Sequence, residues 1–570
     1  MKVAALALAA VLAATPALAQ TPPPPSSGAA AGRAAAAQIE QAARDANAGR
    51  YVEAEAGFAG AWPALIRSMG WNHEVTLRFG DLYFVSLLAQ KKDNEAAALV
   101  LQLLDGARTL YGPEDPRTLT LASRTGVLLR RIGRVAEAEA LFREVLTVRR
   151  RVLGDADPET LNAAFNLAGA LNQTGRHREA EILYREAWTG RRSLLGETHD
   201  ATLSAANQLA ISLDDLGRPV EALELLTLVY ETRGRVKGPD DMSTLLAGGN
   251  LATTLRSVGR LREAETLQRK ILEGFRRTLG DSHPATLQTT ANLAVILADR
   301  GASGEAARLQ RQLVATWTRL KGAEDTQTLN ATSNLAGTLL DLDQFGEAER
   351  LARETWMIRQ RVQGPNHPAT LTTANTVAVA LNGLGRTDEA VALLRKVLEA
   401  QTTVLGPDHP TTLMAGANLA PTLLDLGQAA EAEALGRRVW QARLRLEGPD
   451  SPGTLHAAAN LAAMLMILGR DAEAEPIYAD VVARGRALAG SGPPPSTLIL
   501  HARSLGRARM RLNRPEAAYE AYRFAMAASL ARYADSDASG SSQSARAGQL
   551  RDRSAFVGVV TAGWSWAHQP

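Results

Sequence analysis

Residues 160–196 read TLNAAFNLAGALNQTGRHREAEILYREAWTGRRSLLG. With Leu161 as the first position of a helix, apolar or small residues fall at Leu161, Ala164, Leu167, Ala168 and Leu171. At 100° per residue these positions form one stripe, which predicts an amphipathic helix. Gly175 ends it, because glycine adopts the left-handed conformation that closes helices at little cost. A second helix follows, with Ala180, Leu183, Tyr184 and Ala187 on its apolar face. So short a connection makes the two helices antiparallel, and the alanines at 168 and 180 let the backbones approach. The stretch therefore predicts a helical hairpin.

The hairpin recurs. Glycines stand at 70, 112, 154, 196, 238, 280, 322, 364, 406, 448 and 490, every interval being 42 residues. Glu-Ala marks the same period from Glu53 to Glu473 and returns at Glu516, one residue late, which matches an extra residue in GSGPPPSTL. Thr-Leu follows most of the glycines, from Thr118–Leu119 to Thr454–Leu455. A lone hairpin cannot bury both of its faces, whereas a stack of near-identical ones can.

The small-Leu-Ala…Ala spacing of Leu167, Ala168 and Ala180 resembles the tetratricopeptide repeat. The longer pattern, LGxxHPxTL with NLAxxLxxxGRxxEAE, is similar to the 42-residue repeats of the kinesin light chain class. The resemblance covers residues 34–533. It implies an all-α fold, a right-handed α-solenoid (superhelix) of about twelve stacked helix-turn-helix hairpins with a concave inner surface. It also implies protein or peptide binding without catalysis.

The remaining segments have other compositions. Lys2 followed by VAALALAAVLAA and TPALA reads as a secretory signal peptide over 1–19, cleaved near Ala19 to leave Gln20 first. Residues 20–33 read as a Pro/Ser/Gly-rich linker, 534–548 as a flexible linker, and 549–570 as a capping helix or docking tail bearing Phe556, Val557, Val560, Trp564 and Trp566. No cysteine is present, which removes disulfides, thiolate metal sites, cysteine nucleophiles and lipid attachment after Ala19. The 63 basic residues, seven of them lysine, are offset by 60 acids to a net charge of +3. That balance, without basic blocks, argues against nucleic acid as a partner. The mature chain is expected to be exported, to periplasm or medium, without a transmembrane segment; its oligomeric state is open.

GPDHPTTL at 406–413 and GPNHPATL at 364–371 raise the possibility of chemistry. Aligned across repeats, the histidine position reads Asp115, Asp157, His199, Asp241, His283, Asp325, His367, His409 and Ser451. Asp and Ser are preferred N-caps, and proline at the next position is preorganised to start a helix. The column is thus a capping column, with no metal, cofactor or catalytic role. The recurrent Glu of Glu-Ala suits a helix N-terminus, and the recurrent arginines 151, 235, 277, 319, 361 and 445 suit a C-terminus. No phosphate loop, nucleophile elbow or HExxH is present.

Position six of the first helix, on the side away from the apolar stripe, carries Asn166, Gln208, Asn250, Asn292, Asn334, Thr376, Asn418 and Asn460. Asparagine costs about 0.5 kcal/mol against alanine in a helix, so its persistence asks for a reason. One reason is a ladder of amides between neighbouring helices. The other is a row of donors and acceptors for an extended peptide, which the family resemblance favours. Position thirteen adds Asp215, Asp299, Asp341 and Asp425, whereas an early repeat carries Arg124, Arg130 and Arg131 at positions six, twelve and thirteen. The expected groove is basic at its start and acidic in its middle, which departs from grooves that favour acidic cargo and makes a partner with basic or donor-rich segments the expectation for the middle. The leading functional expectation is an exported, non-enzymatic scaffold for protein or peptide partners. A cell-envelope assembly or polysaccharide-export scaffold, acting through outer surfaces and the tail, is the alternative.

Overall fold

The computed structural model describes residues 27–489, 496–538 and 557–567; the signal-peptide reading of 1–19 lies outside them. Twenty-four helices run from Ser27 to Ala538, consecutive ones packing as hairpins within each compact unit, and no strand occurs among the described residues. The chain divides into two compact units, Met1–Leu225 and Leu226–Pro570.

In the first unit the quoted stretch folds as expected. Its first helix is Pro158–Gln173, its second His177–Leu195. Leu161, Ala164, Leu167, Ala168 and Leu171 are all buried, as are Ala180, Tyr184 and Ala187. Each fully buried leucine contributes about 1.5–3 kcal/mol. Ala168 and Ala180 are both 0% exposed, as their role at the crossing requires. The hairpin packs on the helices before and after it, Val135–Leu153 and Asp200–Asp215. The second unit repeats this arrangement, and its first helices also touch across repeats, as Thr326–Asp341 does with Pro368–Gly383.

Two glycines punctuate each repeat and differ in what they demand. The one inside the hairpin, such as Gly175 at φ 78°, is a left-handed cap: the Arg176 amide donates to the Leu171 carbonyl at 3.0 Å. Lys91, Asp343 and Asn513 take this conformation elsewhere, at φ 62°, 56° and 57°. The anchor glycine between hairpins combines positive φ with extended ψ, 87° and 169° at Gly196 and 81° and 168° at Gly280. That region is essentially restricted to glycine, which is why the 42-residue marker does not vary.

After the anchor glycine comes the capping column, and it caps. Asp115, Asp157, Asp241 and Asp325 accept the backbone N–H two residues on through a carboxylate oxygen, and Ser451 does so through its hydroxyl. His199, His283, His367 and His409 do the same through Nδ1, at 3.2–3.3 Å. His73 adds a copy that the aligned column omitted. Behind it three of the buried threonines bind back to the preceding anchor: Thr76, Thr286 and Thr328 donate to the Gly70, Gly280 and Gly322 carbonyls at 2.8 Å, whereas Thr160, Thr202, Thr244, Thr370, Thr412 and Thr454 make no such bond among the described residues.

Two boundaries differ from those read in the sequence. The first helix begins at Ser27, inside the expected 20–33 linker, because SGAAAGRAAAAQ is dominated by alanine, the strongest helix former. The last repeat helix runs from Pro515 to Ala538, into the expected 534–548 linker, whose remaining residues lie outside those described. Residues 557–567 form one more helix. Its Ala562 is buried against Ala518 and Tyr522, and Trp566 meets Tyr519 with ring centroids 5.8 Å apart. Val560 and Trp564 stay 72% and 65% exposed.

Two outcomes follow from this architecture. Gly196→Ala is expected to destabilise more than Gly175→Ala by about 1 kcal/mol or more, since only the latter site accepts other residues; equal denaturant midpoints would contradict this. His501, whose ring lies 6.3 Å from that of Tyr478, is held neutral by burial and by the charge of His456, its pKa pushed down to about 4. The unfolded chain takes up that proton near pH 6.5, so the contribution is fully present above about pH 6.5 and is lost as pH falls towards 4. Melting temperature should therefore fall less over this window in His501→Gln than in the wild type.

Candidate functional site

The Gly-Arg and Glu-Ala-Glu motifs resolve into recurring ion pairs on the second helices of each unit. Arg134, Arg176, Arg218, Arg260, Arg386 and Arg470 each fork onto the glutamate three residues on, at 2.6–2.7 Å. The Arg176 guanidinium holds Glu179 below the usual carboxylate range. Several reach across repeats as well: Arg176 to Glu139 at 2.6 Å and Arg470 to Glu433 at 2.5 Å. The arginines near the second-helix C-termini also find acids in the loop one repeat earlier. Arg151 meets Glu114 at 2.5 Å, Arg445 meets Asp408 at 2.7 Å, and Arg277 pairs with Asp240. Apart from the Glu139 and Glu433 carboxylates, which are largely covered, these pairs are solvent-exposed and worth only about 0–1 kcal/mol each, so they set register more than stability.

The acids of position thirteen take part in a similar tie between first helices. Asp215 accepts from Asn172 at 3.4 Å, Asp299 pairs with Arg256 at 2.8 Å, and Asp425 accepts from Asn382 at 3.1 Å. Each partner stands one repeat upstream. Asp341 has Ala298 at the matching place, and its carboxyl is raised by desolvation and by Asp299. In the first unit Arg124 pairs with Asp81 and Arg131 with Asp93, both at 2.5 Å, so two of the three early arginines are compensated. Arg130 is half-buried near Tyr184.

The amide column behaves differently. Asn292 accepts from Gln288 at 3.0 Å and Asn460 meets the His456 ring at 3.2 Å, each within its own helix. Asn166, Gln208, Asn334 and Asn418 make no side-chain hydrogen bond among the described residues. Asn250 is half-buried. Asn250 aside, no ladder joins these amides from repeat to repeat among the described residues, and four of them retain their donors and acceptors.

In the second unit this face opens into a cleft of about 430 Å³ between the first helices Pro284–Asp299, Thr326–Asp341 and Pro368–Gly383. Gln288, Gln327, Asn330 and Asn334 form its exposed rim; Leu287, Leu313, Trp317 and Arg359 form its floor. Asn334 is the one member of the expected column that lines it. Arg359, on the second helix, is 2% exposed, and its Nη2 donates to Asn330 Oδ1 at 2.7 Å. Its Nε is buried without a partner, and no carboxylate pairs with it among the described residues. Burial pushes its pKa down, as expected of a desolvated cation.

Arg359 belongs to a column that sequence reasoning missed: Arg149, Arg191, Arg233 and Arg359 are all at least nine-tenths buried. Its signal was arginine recurring at the 42-residue register inside an otherwise apolar stripe. Arg149 and Arg191 are better satisfied. Arg149 reaches Glu159 at 2.9 Å, and Arg191 donates to Asn162 and the Ala201 carbonyl while lying over the Phe165 ring at 4.6 Å. A larger hollow in the first unit, about 770 Å³, is lined by Arg143 and Arg150, both ion-paired.

Solved structures similar to the chain include the nearly identical TPR-like repeats assigned to a Podosopora anserina kinesin light chain. That structure is 26% identical over 36% of this chain and 98% of that one, with a TM-score of 0.33. A single-substitution variant of the same repeats is 26% identical over 35% and 95%, TM-score 0.33. BtubC (BKLC) from P. vanneervenii is 21% identical over 41% and 92%, TM-score 0.34. No curated protein matches the chain. Two family models described as Tetratricopeptide repeat do match, one over 85–151, 123–193, 159–234, 241–319, 327–403 and 373–439, the other over 454–495. These matches span more than half of the sequence, and the chain belongs to the tetratricopeptide repeat family.

Proposed function

We propose that this chain is an exported scaffold that holds protein or peptide partners on the polar face of its first helices, and that it performs no catalysis. Its repeats are of a family that is typically non-enzymatic and suggests a protein-binding scaffold. The observation that carries the reading is the set of amides at Asn166, Gln208, Asn334 and Asn418. The three asparagines occupy helix positions at a propensity cost, and the side chains of all four bond to nothing among the described residues. An extended peptide offers alternating N–H and C=O groups that such amides satisfy pairwise. Export rests on the N-terminal Lys2, apolar run and Ala17/Ala19 pattern. Among the described residues no helix is long and apolar enough to cross a membrane.

A second reading, an envelope-assembly or polysaccharide-export scaffold acting through its outer surfaces and tail, is favoured by one observation. The terminal helix leaves Val560 and Trp564 exposed although its other side is packed.

The two readings separate in one affinity-capture experiment from the exported fraction. Asn292, Asn334 and Asn418 changed together to Ala should leave the helices intact, because alanine raises helix propensity, while partner recovery drops about tenfold or more. Unchanged recovery overturns the face model. Loss of recovery on removing residues 557–570 instead supports the tail. N-terminal sequencing of the exported protein should begin at Gln20; a chain retained inside with Met1 intact would contradict export.

A further inference from the structure

We infer that the cleft over Arg359 receives a carboxylate carried beside an apolar group. The inference rests on the reading of this face as a partner-binding surface and names the chemistry that the surface selects.

The register of the repeat shows what is unusual at this position. Arg149 is neutralised by Glu159; the matching residue beside Arg359, five periods on, is Ala369. Arg191 has no acid either, but it gives Nη1 to the Ala201 carbonyl and is covered by the Phe165 ring. Four periods on, Ser333 stands where Phe165 does, and the space the ring would fill is part of the cleft. Arg359 is therefore a buried guanidinium with five N–H donors, one acceptor among the described residues, Asn330, and an opening to solvent.

An isolated buried cation is destabilising unless an anion and further acceptors meet it. A carboxylate matches the guanidinium fork bidentately, and low polarity around the pair strengthens the bond. Next to Arg359 the floor is apolar, made by Leu313 and Trp317, and the rim offers Gln288, Gln327 and Asn334. A ligand that pairs a carboxylate with an apolar substituent satisfies both halves of the floor. A cation is repelled, and a neutral group leaves the charge uncompensated. The carboxylate has two possible sources: an acidic side chain within a peptide, or a chain terminus or free acid.

Isothermal titration of the full mature chain tests this with defined probes. N-acetyl-leucine presents a terminal carboxylate and is compared with N-acetyl-leucinamide; the α-amide of N-acetyl-glutamate presents a side-chain carboxylate and is compared with that of N-acetyl-glutamine. At least one acid is expected to bind about tenfold or more tightly than its amide, and which acid does so identifies the source. Arg359→Met should abolish the preference. It should also fold, because Phe275 and Trp317 occupy the same register position in the two preceding repeats. Ser333→Phe keeps the charge but refills the space and should abolish binding as well, while Arg191→Met leaves it unchanged. Acid and amide binding alike, no binding of either acid, or a preference that survives Arg359→Met overturns the inference. If partner capture still depends on the asparagines in that case, the face reading stands without it.

Discussion

A helix hairpin of this composition has apolar surface on two sides and can cover only one of them by itself. Packing of the two helices on each other closes the inner side, where Ala168 and Ala180 are both fully buried. The outer side is covered only by the next hairpin. Stacking is thus obligatory, and the turn that joins one hairpin to the next becomes the most constrained part of the chain. The anchor glycine, the capping Asp, His or Ser and the proline all serve that turn, and in three repeats a buried threonine does so too. The histidines that suggested a ligand cluster accept backbone N–H groups there through Nδ1.

Once the turns set the stacking, charge follows the period. Arginine and glutamate at fixed register meet both within a hairpin and one repeat away, so acids and bases of near-equal number, 60 and 63, offset one another locally as well as in sum. The acids at 215, 299 and 425, which read as the lining of an acidic groove, are tied to the first helix of the preceding repeat. Two of the early arginines are tied likewise. A charged residue that recurs with the period is first a tie between repeats. The residue that breaks a tie is the one available for function.

Arg359 is such a residue. Its neighbours in the register have an acid, a carbonyl or an aromatic ring where it has Ala369 and Ser333. The periodic scaffold makes the substitution visible, because the same environment is built several times with one part changed. Conversely, Asn334 draws its importance from lining the same cleft and from having no side-chain partner among the described residues.

The sequence by itself determined the period, the two helices of each hairpin, their buried stripes and the capping loop. These depend on local dihedral preferences and on residue spacing along one helix, and both are written in consecutive residues. It also marked the asparagine column, though not whether those amides bonded one another. Only the tertiary structure decided which charges were consumed, because the partners stand 36 to 43 residues apart and meet across repeats. Only it opened the cleft. A cavity is the absence of a side chain seen against its neighbours in space, and Ser333 acquires meaning only when it lines the same cleft as a buried arginine on another helix.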